Sequence, residues 1–172
     1  MKFSTRARYG MRMMIEFARA LRKEPMVTLG RIAKVTGIST NYLAQLAIPL
    51  RNNGLLIGTA GKRGGYQLGK KPEEILVGEI LTALQGKIGL TDCTLNPDIC
   101  LNSSFCEARI VWVIASHKMT EFFDGFTLAD LVDKKWKDEI QKQYDFIPHL
   151  NTDQFLSSLE DVEQSCPATP RN

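Results

Sequence analysis

Apolar residues recur at helical spacing from Thr5 to about Arg22. Tyr9, Met13 and Phe17 stand at i, i+4 and i+8 with Met14, Ala18 and Leu21 beside them, and Arg8, Arg12 and Arg19 fall off the stripe. Pro25 closes this predicted helix. A second, short helix follows, with Thr28 as its cap and Leu29, Ile32, Ala33 and Val35 as its buried positions. Gly37 then supplies a turn, and Ser39 or Thr40 caps a third helix that runs through Tyr42, Leu43, Leu46 and Leu50 to Asn53-Gly54. Pro49 removes one backbone bond, so this helix is expected to kink or tighten near residues 45–48. Leu55-Leu56-Ile57 and Tyr66-Gln67-Leu68 read as short strands. The glycine-rich stretch from Gly58 to Gly65 between them is a tight hairpin.

Beyond the hairpin, Pro72 opens a further predicted helix, with Glu73 and Glu74 in its first turn where the dipole favours acids. Ile75, Val77, Ile80, Leu81 and Leu84 form its apolar face, and Gly86 ends it. Residues 87–105 read as irregular. A long helix is expected from about Phe105 to Phe123, apolar around most of its circumference at Ile110, Val111, Trp112, Val113 and Ile114. A helix of that kind in a chain of 172 residues needs a cover, and a second subunit is the cover expected here. Thr127 starts a short helix through Leu131-Val132. Signals fade after about Tyr144, and the stretch from Cys166 to Asn172 reads as a loose tail.

Helix, glycine-containing turn, helix and then a hairpin is the outline of a mainly α, winged helix-turn-helix with a two-stranded wing. Charge strengthens this reading. Residues 1–71 carry 14 Lys and Arg against Glu16 and Glu24, a net +12, whereas residues 72–172 carry 8 against 17 Asp and Glu, a net −9. Such a division points to a polyanion partner for one half, nucleic acid or an acidic membrane surface, ahead of a plain basic solvated face, since residues 1–71 contain no Asp. Three parts are expected: a winged-helix DNA-binding region at 1–71, a cysteine-containing loop and dimerisation helix at 72–135, and a C-terminal extension with a loose, partly disordered tail at 136–172. The longest unbroken apolar run, Ile110 to Ala115, is too short to span a bilayer, and the N-terminus has no export pattern, so no membrane association and a cytoplasmic location are expected.

On the expected DNA face, Thr40, Asn41, Tyr42 and Gln45 occupy the first turns of the third helix, where base edges are met. Asn and Gln amides pair with adenine N6 and N7, and Tyr reaches phosphate. Core packing is the competing role for Tyr42, and plain exposure that for Gln45. Arg6, Arg8, Arg51, Lys62 and Arg63 read as phosphate contacts, which position without specifying. At the hairpin tip, glycines including Gly64 let the backbone come close to a phosphate or enter a narrow minor groove.

Cysteine use is uneven. Cys93, Cys100 and Cys106 fall within fourteen residues, spaced C-x6-C-x5-C, and Cys166 lies in the tail. Clustered thiols in a reducing compartment indicate metal or redox chemistry more often than staples. Thiolate sulfur suits iron–sulfur clusters, zinc and copper(I), and the absence of C-x2-C disfavours a zinc ribbon. The expected cofactor is an iron–sulfur cluster, [2Fe–2S] or [4Fe–4S]. Zinc, thiol oxidation without a metal and structural cysteines are the alternatives. His117 and His149 form no catalytic constellation, and His117 reads as an interface residue. No enzyme is expected.

Ile38-Ser-Thr-Asn-Tyr-Leu-Ala-Gln-Leu46, Leu50-Arg-Asn-Asn-Gly-Leu55 and Gly64-Gly-Tyr-Gln-Leu-Gly69 resemble the Rrf-type winged-helix regulators of bacteria, as does the opening from Lys2 to Tyr9. The likeness covers about residues 1–135. It implies a homodimer joined through the long helix, each subunit reading half of an inverted repeat in double-stranded DNA. It also implies a cluster on Cys93, Cys100 and Cys106. Where some members have a ligating His three residues after the last cysteine, this chain has Arg109, and where another branch uses an acid near the N-terminus, it has Arg8. The fourth ligand stays open among Glu107, Asp92, Asp98, His117 and a residue of the other chain. Ala44 stands where members often carry Glu, so a different preferred sequence is expected. The resulting expectation is a sequence-specific regulator, a repressor sensing redox, nitric oxide or iron–sulfur status. An electron carrier or thiol oxidoreductase is the rival, disfavoured by the basic half and its wing.

Overall fold

The computed structural model describes residues 3–61 and 64–133. Helix α1 (Thr5–Leu21) begins where the Ser4 hydroxyl accepts the Ala7 N–H at 3.1 Å, and it buries Ala7, Gly10, Met13, Met14, Phe17 and Ala18. Helix α2 (Leu29–Thr36) is capped by Thr28 and stopped by Gly37, whose φ of 71° is the left-handed conformation that glycine adopts without a Cβ penalty. Helix α3 (Thr40–Asn52) follows after three residues, Gly37 to Ser39. Its cap is Ser39, whose hydroxyl accepts the Tyr42 N–H at 3.3 Å. Pro49 costs α3 one backbone bond but does not interrupt it, and Asn53 closes the end through its side-chain amide on the Pro49 carbonyl at 2.9 Å.

Two antiparallel strands, β1 (Leu56–Thr59) and β2 (Gly65–Leu68), pair in the register Leu56↔Leu68 and Thr59↔Gly65. Val27 adds a one-residue bridge on the other side of Tyr66, with main-chain bonds of 2.8 and 3.0 Å. The wing is thereby fastened to the α1–α2 connection as well as to α3. Phe17 of α1 meets Tyr66 of β2 at a ring separation of 5.9 Å.

Three expectations are corrected. Val35 is 49% exposed, because the buried face of α2 is set by Ile32 and Thr36, one turn apart. Thr36 is buried without cost to its hydroxyl, which donates to the Ile32 carbonyl at 2.8 Å. The helix expected from Pro72 is broken: Pro72–Glu74 is a single 3-10 turn, and α4 spans Val77–Gln85. Between them the Ile75 carbonyl accepts from Leu128 N–H and the Val77 N–H donates to Phe126, an extended pairing that removes Ile75 and Leu76 from helical geometry. Glu79 then caps α4 by accepting the Leu76 N–H at 3.1 Å and a 2.7 Å bond from Lys70. Burial pushes the Glu79 carboxyl up, but these two donors outweigh it and hold it below the ordinary range. Finally, the irregular stretch contains a short helix, α5 (Asp92–Leu95), and a 3-10 turn, Pro97–Ile99. The long helix α6 spans Glu107–Asp124 with Cys106, not Phe105, at its start.

Helix α7 (Leu128–Asp133) begins with a reciprocal Thr127–Asp130 cap. One core unites α1, α2, α3 and β1 with Ile75, Ile80, Leu84, Leu128 and Val132, so residues on both sides of position 71 share it. A smaller cluster of Ala7, Val77, Leu81 and Ile88 takes the inner side of α6 through Met119 and Phe123. The outer side of α6 stays open, with Ile110, Val111 and Ile114 each more than half exposed. Among the described residues no helix is long and apolar enough to cross a membrane.

Candidate DNA-binding face and cysteine segment

Leu43, Leu46, Ala47 and Leu50 anchor α3 in the core, and this orients the rest of the helix outward. Thr40, Asn41, Ala44 and Gln45 are exposed. Asn41 and Gln45 lie one turn apart on one side of α3, and Ile48, 57% exposed, continues that line. Sequence reading passed over Ile48, although its i+7 relation to Asn41 was the available signal. Tyr42 is half-buried, and its ring meets Tyr9 edge-on at 6.0 Å, so packing and surface display are combined in one side chain.

Arg51 is exposed at the end of α3, and its guanidinium lies beside Gly58 of β1, close enough that a Cβ on Gly58 would stand 3.5 Å from Nε. Arg6 and Arg8 are exposed in the first turn of α1, with Arg8 donating to the Thr5 hydroxyl at 3.2 Å. Gly64 closes the hairpin. Its N–H donates to the Gly61 carbonyl at 2.9 Å, and a Cβ there would run into the Thr59 carbonyl oxygen. Lys62 and Arg63 lie outside the described residues, as do His149, Cys166 and the 136–172 extension.

The cysteine segment joins α4 to α6. Cys93 sits in α5, half-buried, its sulfur 3.3 Å from the Thr91 hydroxyl, and Cys106 is half-buried at the start of α6. Cys100 is exposed after the 3-10 turn, among Ile99, Leu101 and Phe105, which are exposed too. Thiols are the right donors for an iron–sulfur cluster, but in the single chain they do not close around one. Among the described residues no three His, Cys, Asp or Glu side chains are grouped so as to hold a metal ion. Asp92 and Glu107 are exposed neighbours of Cys93 and Cys106, and Asp98 is exposed in the 3-10 turn. His117 lies three turns along α6 from Cys106, roughly 16 Å of helix rise, and pairs with Glu121 at 3.1 Å. The Glu121 carboxyl is held below its ordinary range first by the bond from Lys118 and also by the nearby charges of Lys118 and His117.

This chain is similar to known proteins over nearly all its described length. The family described as Rrf2, iron-dependent transcriptional regulator, matches residues 3–134. Protein rrf2 of Nitratidesulfovibrio vulgaris is 38% identical over 132 residues, covering 77% of this chain and 87% of that protein. The HTH-type transcriptional regulator IscR of Aliivibrio salmonicida is 34% identical over 132 residues, 77% of each. Among solved structures, CymR (YrzC), the global cysteine regulator of B. subtilis, superposes with a TM-score of 0.65 at 34% identity, covering 78% of this chain and 98% of that one.

Proposed function

The chain belongs to the Rrf2 family of transcriptional regulators, DNA-binding proteins rather than enzymes, and from that premise we propose that it is a dimeric repressor whose three clustered cysteines report redox or iron–sulfur status. Residues 1–71 bind DNA, residues 72–135 sense and dimerise, and residues 136–172 form an extension. Asn41 and Gln45 read base edges. Thr40, Tyr42, Arg6, Arg8, Arg51, Lys62, Arg63 and the Gly64 backbone hold the phosphates of an inverted-repeat duplex.

Support for the dimer comes from the open apolar side of α6 and from an apolar cleft of about 720 Å³ lined by Phe3, Ala7, Met11, Val77, Leu81 and Phe123. A second copy covers both. Exposed apolar surface of this kind marks an interaction face.

Cys93, Cys100 and Cys106 are the residues that would hold an iron–sulfur cluster, and such a group supplies a centre sensitive to oxidants and to iron supply. The observation that carries this reading is that the cysteine segment is bonded to the first turns of the helix assigned to the dimer: Arg109 of α6 reaches the Cys93 carbonyl at 3.0 Å, and Cys106 starts the helix. A change at the thiols is thus next to the element that sets the distance between two DNA-binding faces. The second reading is thiol oxidation or zinc without a cluster; its oxidation form is favoured by the exposed Cys100 thiol and by the lack, among the described residues, of three donors grouped to hold a metal ion.

Oxygen-free purification, with iron, acid-labile sulfide and visible absorption measured together, tests the proposal. Wild-type protein is expected to be coloured and to carry both elements, and Cys100→Ala to lose most of the colour. Zinc without sulfide would select the second reading. Colourless, metal-free protein that binds a duplex selected from a random-sequence pool equally well before and after thiol oxidation would overturn both.

A further inference from the structure

Arg109 is bonded to two of the three cysteine residues at once. Its main-chain N–H donates to the Cys106 carbonyl at 3.1 Å, and its side-chain Nε–H donates to the Cys93 carbonyl at 3.0 Å, sixteen residues back. Two turns along α6 on the same side, Ser116 is buried. Its hydroxyl accepts the Leu90 N–H at 3.0 Å and donates to the Trp112 carbonyl at 2.7 Å. The segment from Leu90 to Cys93 is therefore pinned along α6 at two points, each joining a main-chain group of the segment to a helix side chain. Cys100, by contrast, makes its main-chain bonds to residues three away, Pro97 and Ser103, and is exposed.

A guanidinium has five N–H donors and no lone pair to offer, so Arg109 is not a metal ligand. We propose that it is a positioning residue: with Ser116 it straps Cys93 to the start of α6, and through that strap the state of the thiols reaches the helix. The strap makes the Cys93 end of the segment move with α6 and leaves the Cys100 arm as the part that rearranges. Its consequence for DNA affinity rests on the sensing role proposed above; the strap itself does not.

Two variants separate the hydrogen bond from the charge. Glutamine places its amide nitrogen at the same number of bonds from Cα as Arg Nε, so Arg109→Gln keeps a donor and loses the charge. Arg109→Met has similar length and no donor. In the metal-free full-length chain, amide exchange at Leu90, Thr94 and Asn96 is expected to speed up about tenfold in Arg109→Met and to stay near wild type in Arg109→Gln. After anaerobic loading with iron and sulfide, the ratio of affinities of loaded and stripped protein for the selected duplex is expected to fall to within about twofold of one in Arg109→Met, with iron content unchanged, and to persist in Arg109→Gln. Unchanged exchange in Arg109→Met, equal behaviour of the two variants, or a full affinity ratio in Arg109→Met would overturn the proposal. If wild-type protein takes up no iron, the cluster reading fails, and the exchange measurement alone decides the strap.

Discussion

Phe17→Ala is expected to cost about 3–5 kcal/mol of stability, enough to consume a large share of the roughly 5–15 kcal/mol that a domain possesses. Phe17 has no exposed surface. It lies in the C-terminal half of α1, the helix that packs on α2, α3, α4, α7 and β2, and its ring meets Tyr66 of the wing. Truncation leaves a cavity where the basic helix pair and the wing share one support, so collapse around it would displace the elements that meet DNA. The melting temperature is expected to fall by roughly 10 °C or more, and duplex binding to weaken in proportion to the unfolded fraction. Phe17→Leu, which keeps most of the volume, is expected to recover most of the loss. Val35→Ala is the matched control. It removes an apolar side chain that the sequence pattern assigned to the core but that the fold leaves half-exposed, and it is expected to change stability by no more than about 0.5 kcal/mol. A thermal melt of all three decides the matter, and a Phe17→Ala curve within a few degrees of wild type would show that α1 is not the central support.

The contrast between Phe17 and Val35 also explains what was legible in the chain. Long periodic stripes such as Tyr9–Met13–Phe17 and Leu43–Leu46–Leu50 fix a helix face by repetition, and one misassigned residue does not rotate it. In α2, with eight residues, a single valine was enough to misplace the edge of the buried face. Glycine and cap signals at Thr28, Gly37 and Ser39 are local and were readable because the chemistry that ends a helix is local. The break at Ile75–Leu76 was not readable, because its cause is a pairing with Phe126–Leu128, about fifty residues downstream. Neither was the strap. Nothing in the spacing of Arg109 and Cys93 indicates that one donates to the other, and an arginine three residues after a cysteine carries no signal until the chain has folded. The cysteines stood out by composition, but how near they come to one another is a tertiary property, and among the described residues of the single chain no three donors are grouped to hold a metal ion.

Alanine at Asn41 or at Gln45 is expected to reduce affinity for the selected duplex about ten- to hundredfold, in line with the roughly 1–3 kcal/mol that a bidentate amide–adenine pair contributes. Binding to a scrambled duplex is expected to stay within about twofold of wild type. Neither side chain supports the fold of the free protein. Both are exposed and the core holds α3 from its other side through Leu43, Leu46 and Leu50, so their removal leaves no cavity. Arg51→Ala is expected to show the opposite signature. Its guanidinium lies beside the wing at Gly58, and the proposed partner there is the backbone of the duplex rather than a base. Losing one phosphate contact weakens selected and scrambled duplexes alike and lowers the slope of log affinity against log salt by about one. Tyr42→Phe separates the two duties of that residue. The ring keeps its edge-on contact with Tyr9, so stability is expected to be unchanged, and any loss of affinity belongs to the hydroxyl. Fluorescence anisotropy on both duplexes across a salt series reads all of these effects. If Asn41→Ala and Gln45→Ala weakened scrambled and selected duplexes equally, α3 would be a phosphate-binding element and sequence would be read elsewhere.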